Sequence, residues 1–200
     1  MRKYLFMGIL AVVSVCCTTA KISLSEQEIA LIDGSGDVMR VLTIDNPGDS
    51  LVLRSECAEF NAADLKTPEY AALAGKMAAT MTSPEQDGVG IAGPQVGILR
   101  RIIVVQRFDK EGEPVEVYAN PYIVETRGEK EVGPEGCLSI PGRRGDVMRW
   151  RDITVVYANP LFGEPGQPQT ISEDVSGYTA IIFQHEIDHL SGVLYIDKLQ

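Results

Sequence analysis

Histidine is almost missing from this 200-residue chain, which has two, at positions 185 and 189. A metal centre made of imidazoles alone is therefore excluded, because a catalytic site takes three protein ligands and leaves one position for water. Clusters of positive charge are scarce too. Lys and Arg number 18 against 28 Asp and Glu, for a formal net charge of -10, and the one basic grouping is Arg143, Arg144, Arg149 and Arg151. No nucleic-acid partner is expected of such a chain, and those arginines read as a solvated rim or as a contact for the acidic end of a substrate. Internal repeats and low-complexity tracts are absent. The length, with 44% hydrophobic residues, suits one domain around one core.

What is present is concentrated. Both histidines fall in His185-Glu186-Ile187-Asp188-His189, the HExxH spacing of a metal-dependent hydrolase. Four residues of helix turn through roughly 400°, so both imidazoles project from one face and can share a cation, with Glu186 beside them. The chemistry this suggests is a metal-activated water attacking a carbonyl while Glu186 moves protons. The competing reading is an amphipathic helix whose histidines merely cap or pack. Tyr178, Ile181, Ile182 and Phe183 precede the motif at helical spacing and predict a helix buried along one side. Two histidines and two carboxylates on a buried helix need partners, and a metal supplies them.

A third ligand has to come from elsewhere. The pattern HExxHxxGxxH is followed through Gly192 and then fails, since Tyr195 stands at the third histidine position. Asp197 is a possible carboxylate ligand, but it lies at the very end of the chain. Cys137 is the better candidate, in Glu135-Gly136-Cys137-Leu138-Ser139, because a thiolate is a strong ligand for zinc or ferrous iron and glycine allows close backbone approach. A lone cysteine is also commonly a small buried hydrophobe. The third segment, Gly88-Val89-Gly90-Ile91-Ala92-Gly93-Pro94-Gln95, reads as an extended strand closely approached by something else, or as a plain buried turn. It lacks the Gly-Lys-Ser/Thr of a phosphate loop.

Taken in order, GVGIAGPQ, EGCLS and QHEIDH resemble the GΦGΦAAxQ, EGCLS and QHExDH segments of the peptide deformylases, and the likeness runs from about Leu51 through Lys198. The one departure inside a motif is Gly93 in place of an alanine. The resemblance implies an α+β fold of mostly antiparallel sheets packed around a C-terminal helix that carries HExxH. It implies that Cys137, His185 and His189 hold the metal: Fe2+, with Zn2+, Ni2+ or Co2+ able to take the same site. Glu186 would move the proton, and the Gln95 amide and the Leu138 backbone N–H would face the developing oxyanion. An N-formylmethionyl peptide or nascent protein would lie as an added strand along Gly88 to Ile91, with Val89, Gly90, Tyr178, Ile181 and Ile182 at its first side chain and Arg144 near the pocket mouth. Tyr178 is bulkier than the aliphatic residue expected there, which would narrow the preference for methionine. A monomer is expected. Two other readings stand beside this one: a zinc endopeptidase of HExxH type, and a non-catalytic envelope lipoprotein that binds formyl peptides.

The pattern elsewhere supports α+β. A helix is predicted from the N-cap Thr67, with Pro68 in its first turn, to about Thr82, and strands over 101–106, 115–125 and 153–157. Turns are predicted over 109–112 and 159–166.

The N-terminus has a different character. Arg2 and Lys3 precede an apolar run from Tyr4 to Val15, followed by Cys16, Cys17, Thr18, Thr19 and Ala20, which is the layout of a bacterial export signal and too short to span a bilayer. Residues 1–20 are read as a signal peptide or lipoprotein signal, 21–50 as an extension or linker and 51–200 as the catalytic domain. Export to the envelope is expected, in the periplasm or anchored to the membrane through a lipid on Cys16 or Cys17, with the cytoplasm as the location if the signal is unused. In an exported chain Cys57 and Cys137 could pair as a disulfide, which would destroy the metal site; the use of Cys137 as a ligand argues against it.

Overall fold

The structure is a computed structural model and describes residues 24–159 and 169–200. The export-signal segment lies outside the described residues, as does most of the turn expected after Asn159. The order of elements is α1 (Glu26–Gly34), α2 (Pro47–Leu53), α3 (Pro68–Met81), β1 (Gly90–Ala92), β2 (Ile102–Gln106), β3 (Val115–Cys137), β4 (Ile140–Asn159), β5 (Gln169–Ser176) and α4 (Gly177–His189). The strands form one five-stranded antiparallel sheet in chain order, β1 to β5, consistent with the α+β expectation.

Helix α3 starts where its sequence says. The Thr67 side chain accepts from Tyr70 N, Pro68 occupies the first turn, and Tyr70, Leu73, Met77 and Met81 are buried one turn apart. Strand β2 explains how both helices are held. Its run Ile102-Ile103-Val104-Val105 is buried on both faces, so alternate side chains serve two cores. Ile102 and Val104 join Leu73 and Met77 of α3 in one, while Ile103 and Val105 join Ile182 and Phe183 of α4 in the other. The sheet is thus covered by α3 on one side and by α4 on the other.

The stretch expected as an extension or linker is built into this core. Ile32 and Met39 belong to the α3 cluster, and Arg100 pairs with Glu28 of α1 at 2.8 Å with the guanidinium nearly sealed from solvent. Strands β3 and β4 run much further than the predicted 115–125 and 153–157. They continue to a two-residue turn at Leu138 and Ser139, with Cys137 opposite Ile140. Glycines, prolines and charges fill that extension, so alternation alone did not mark it as strand; pairing with the neighbouring chain does. Its consequence is positional: the hairpin carries Cys137 back to α4.

Candidate metal centre and substrate groove

Helix α4 places His185 and His189 one turn apart, with ring centroids 5.1 Å from each other. The β3–β4 turn brings Cys137 against them, its Sγ 3.3 Å from His189 Nε2. The three ligand atoms lie within 4.8 Å of one another, and both imidazoles are buried. Tyr195, at the position where a third histidine failed, stacks on His185 with centroids 6.1 Å apart. Asp197, the alternative carboxylate, is engaged elsewhere by an ion pair to Arg54. Cys57 and Cys137 are both free thiols; burial pushes the Cys57 thiol up to about 12, which leaves it inert.

His185 is oriented by a carboxylate outside the HExxH motif. Glu135 Oε2 lies 2.8 Å from His185 Nδ1, which leaves Nε2 as the ligating nitrogen. Arg149 grips Glu135 with two bonds, of 2.7 and 3.0 Å, and reaches Asp188 at 2.5 Å; Lys198 closes the chain on Asp188 at 2.6 Å. Arg149 is therefore not part of a solvated rim. It is 3% exposed and tied to the centre. Glu135 stands two residues before Cys137, hence on the same side of β3, a signal readable in advance. Arg149 is not readable in the sequence: it stands opposite Glu131 in the β3–β4 pairing, and only the folded hairpin lets its guanidinium reach along the sheet to Glu135.

The electrostatics fit a cation. Burial opposes charge on Glu135, yet its bonds to His185 and Arg149 hold its pKa at about 2. Burial likewise opposes charge on His185, but the Cys137 and Glu135 contacts lift it to about 10. His189 is pushed well below its usual value, by burial first and then by the charge on His185. Glu186 is lifted to about 7, chiefly by burial, and its Oε2 has no hydrogen-bond partner among the described residues. One sulfur and two imidazoles form a donor set suited to zinc or ferrous iron, and the orphaned Glu186 oxygen beside them is placed for a proton rather than a ligand role.

The glycine-rich segment forms the opposite wall. A Cβ at Gly90 would lie 2.8 Å from Ile182 Cγ2 and press on the Glu186 carboxylate, so this backbone is closely approached by α4. The departure at Gly93 has a local reason: a Cβ there would sit 2.6 Å from the Arg100 carbonyl oxygen, in the 3-10 turn Gly93–Val96 that aims Gln95. Gln95 Oε1 accepts from Ala92 N at 2.8 Å, and Nε2 donates to Ser139 Oγ at 3.2 Å and faces Cys137 Sγ at 3.5 Å. The amide is thereby fixed with its donors toward the centre.

Between the walls runs a groove of about 610 Å³. Cys137, His185, Glu186, Gln95 and Leu138 line it, as do Val89, Gly90, Ile181, Ile182, Tyr178 and Arg144; His189 is not among the lining residues. Tyr178 stands at the rim, 53% exposed, with its ring 5.4 Å from that of Phe108. Glu85, Asp87 and Arg143, none of them singled out by a motif, also line the groove.

A polypeptide deformylase family model matches residues 38–200. A peptide deformylase of Halothermothrix orenii is 43% identical over 161 residues, covering 80% of this chain and 95% of that one. Among solved structures, the class I type b peptide deformylase of Acinetobacter baumannii with Met-Ala-Ser bound superposes with TM-score 0.68 at 34% identity, covering 81% of this chain and 98% of that one. The peptide deformylase of Thermotoga maritima does so with TM-score 0.68 at 34% identity, covering 82% of this chain and 98% of that one.

Proposed function

The chain belongs to the polypeptide deformylase family, and from that premise we propose that it hydrolyses the N-formyl group from N-formylmethionyl peptides or proteins, releasing formate and a free amino terminus. The observation that carries this reading is the meeting of Cys137 Sγ with the His185 and His189 rings beside an unpartnered Glu186 carboxylate in an open groove.

Cys137, His185 and His189 would hold the cation, Fe2+ by preference, with Zn2+, Ni2+ or Co2+ as alternatives. Once bound, it supplies Lewis acidity, polarising the formyl carbonyl and making water a nucleophile near neutral pH. Glu186 takes one proton from the attacking water and delivers it to the amide nitrogen as the formyl C–N bond breaks. Gln95 Nε2 and the Leu138 backbone N–H stabilise the carbonyl oxygen as it becomes negative, each worth roughly 3 kcal/mol in such a role. Glu135 and Arg149 keep His185 in one tautomer and orientation.

The substrate joins as a strand. Among the described residues β1 ends the sheet and pairs on one side only, which offers its second edge to an extended peptide. Ile181 and Ile182 offer the first side chain an apolar surface, and Tyr178 narrows the entrance. Such a site acts on the chain's first residue, which distinguishes it from an endopeptidase cutting internal bonds.

The test is metal analysis of the purified protein with formate release from formyl-Met-Ala-Ser. Stoichiometric metal with formate release supports the reading; cleavage of an internal peptide bond without formate release favours the endopeptidase, and peptide binding without turnover favours the non-catalytic binder. We further propose that the N-terminal signal directs the protein to the cell envelope, which fractionation and mass analysis of the mature N-terminus test: retention of Met1 in a cytoplasmic fraction would reject it.

A further inference from the structure

The turn that aims Gln95 is gripped by a helix from outside the matched family segment, and this inference rests on the role given to Gln95 above. Helix α1 ends before residue 38, where that segment begins. Its 9 residues are too few to hold a helix alone in water, so α1 owes its order to what it docks on. Both ends are fixed by charge. Glu28 closes a capping box with Ser25 and pairs in two places with Arg100, Oε1 with Nε and Oε2 with Nη2, at 2.8 Å each. At the other end Lys76 of α3 donates to the carbonyl oxygens of Ile32 and Ser35, at 2.5 and 2.8 Å.

These contacts converge on residues 93–100, the loop that carries Gln95. Arg100 is 3% exposed and turns its carbonyl oxygen onto Gly93, where a Cβ would meet it at 2.6 Å. Leu31 of α1 covers Gly97, the left-handed residue that ends the 3-10 turn, and a Cβ there would lie 3.0 Å from the Leu31 side chain. Just after α1 the chain crosses the same loop. The Leu42 N–H donates to the Gln95 carbonyl oxygen at 2.8 Å, and the Ile44 N–H donates to that of Ser139 at 3.0 Å, whose hydroxyl receives Gln95 Nε2. The glycine that departs from the family motif and the helix that lies outside the family segment therefore meet at one residue, Arg100.

We propose that α1 is a positioning element of the catalytic site: through the Glu28–Arg100 pair and the Leu31–Gly97 contact it fixes the 93–100 loop and keeps the Gln95 amide aimed at the developing oxyanion. Glu28 and Leu31 are not among the residues that line the groove, so they act only through the loop. A donor displaced by about 1 Å can cost up to about 10²-fold in rate. Loosening one of several tethers costs less.

The experiment measures kcat and KM for formyl-Met-Ala-Ser in the metal-loaded full chain, in Glu28→Gln, in Gln95→Ala and in the variant carrying both. Glutamine can still complete the capping box, so the first substitution removes the ion pair and spares the helix start. Glu28→Gln is expected to lower kcat by about 3- to 10-fold with KM and bound metal unchanged. In the Gln95→Ala background the same substitution is expected to cost under about 2-fold, since residues that act through one interaction are not additive. Leu31→Ala loosens the same loop from a partly exposed site, follows the same pattern with a smaller loss, and serves where Glu28→Gln does not fold. Hydrogen exchange reads the loop without turnover: amides over 93–100 are expected to exchange about 10-fold faster in either variant, while those of α4 keep their rates. A lowered melting temperature with unchanged kcat, an equal loss in both Gln95 backgrounds, or unaltered exchange over 93–100 overturns the proposal. Absence of formate release from the unsubstituted holoenzyme fails the deformylase reading instead, and hydrogen exchange then still decides whether α1 holds the loop.

Discussion

The two ends of the groove are built on opposite plans. At the floor the groups are buried or half-buried and tied in a chain, with Glu186 Oε2 and His189 Nδ1 left without hydrogen-bond partners among the described residues: Cys137 meets His189, His185 meets Glu135, Glu135 meets Arg149, and Arg149 meets Asp188. At the mouth, Glu85, Asp87, Arg143 and Arg144 are hydrated and free of such bonds. Chemistry on a formyl group needs donors and a base fixed before the substrate arrives, because reorganisation during the reaction raises the barrier. Recognition of a variable chain tolerates mobility, and exposed charges deliver weak, adaptable contacts. One residue type serves either end according to its surroundings: Arg149 is a strut while Arg143, a few residues earlier in β4, faces water.

Cys137→Ala has the largest expected effect. It is expected to abolish stoichiometric metal binding and formate release together, as measured by elemental analysis and a formate assay; retained metal would show that the floor is not a single cradle. Next in size, Glu186→Gln should lower kcat by about 10²- to 10⁴-fold with metal retained, the range for a proton-transfer group. The same change replaces a buried carboxylate that lacks a partner with a neutral amide, so the melting temperature should rise by about 2–4 °C, which calorimetry detects. A fall in both activity and stability would contradict the cost of burying that oxygen without a partner. Gln95→Ala should cost about 10²- to 10³-fold in kcat with little change in KM. Glu135→Gln should weaken metal affinity by about 10- to 100-fold in a chelator competition, since the bond that orients His185 is lost. The smallest effect belongs to the rim: Tyr178→Leu should raise the rate for a bulkier first residue relative to methionine by under about 10-fold, read as a ratio of kcat/KM.

Much of the floor was legible because its signals are local. HExxH on a helix fixes the relation of His185, Glu186 and His189 by helical geometry alone. The Thr67-Pro68 start of α3 and the doubly buried run of β2 are likewise written in short stretches. The extent of β3 and β4 was not legible, since the residues over 126–152 are largely polar, glycine or proline and become strand by pairing with each other. Residues 24–37 are outside the matched family segment, yet Ile32 is fully buried and Glu28 neutralises Arg100, contacts set by docking against α3 and the start of β2.

By itself the sequence determined the chemical vocabulary of this protein: one thiol, two imidazoles, one glutamate and one glutamine in three short segments, with the helical or extended period of each. Tertiary structure alone decided that Cys137 stands 3.3 Å from His189 across 52 positions of chain, that Glu135 and Arg149 brace His185, and that Arg143 stays free. The physical reason is that backbone periodicity acts over a few residues, whereas strand register and helix docking are set by burial summed over the whole core, and only that sum brings distant residues to one place.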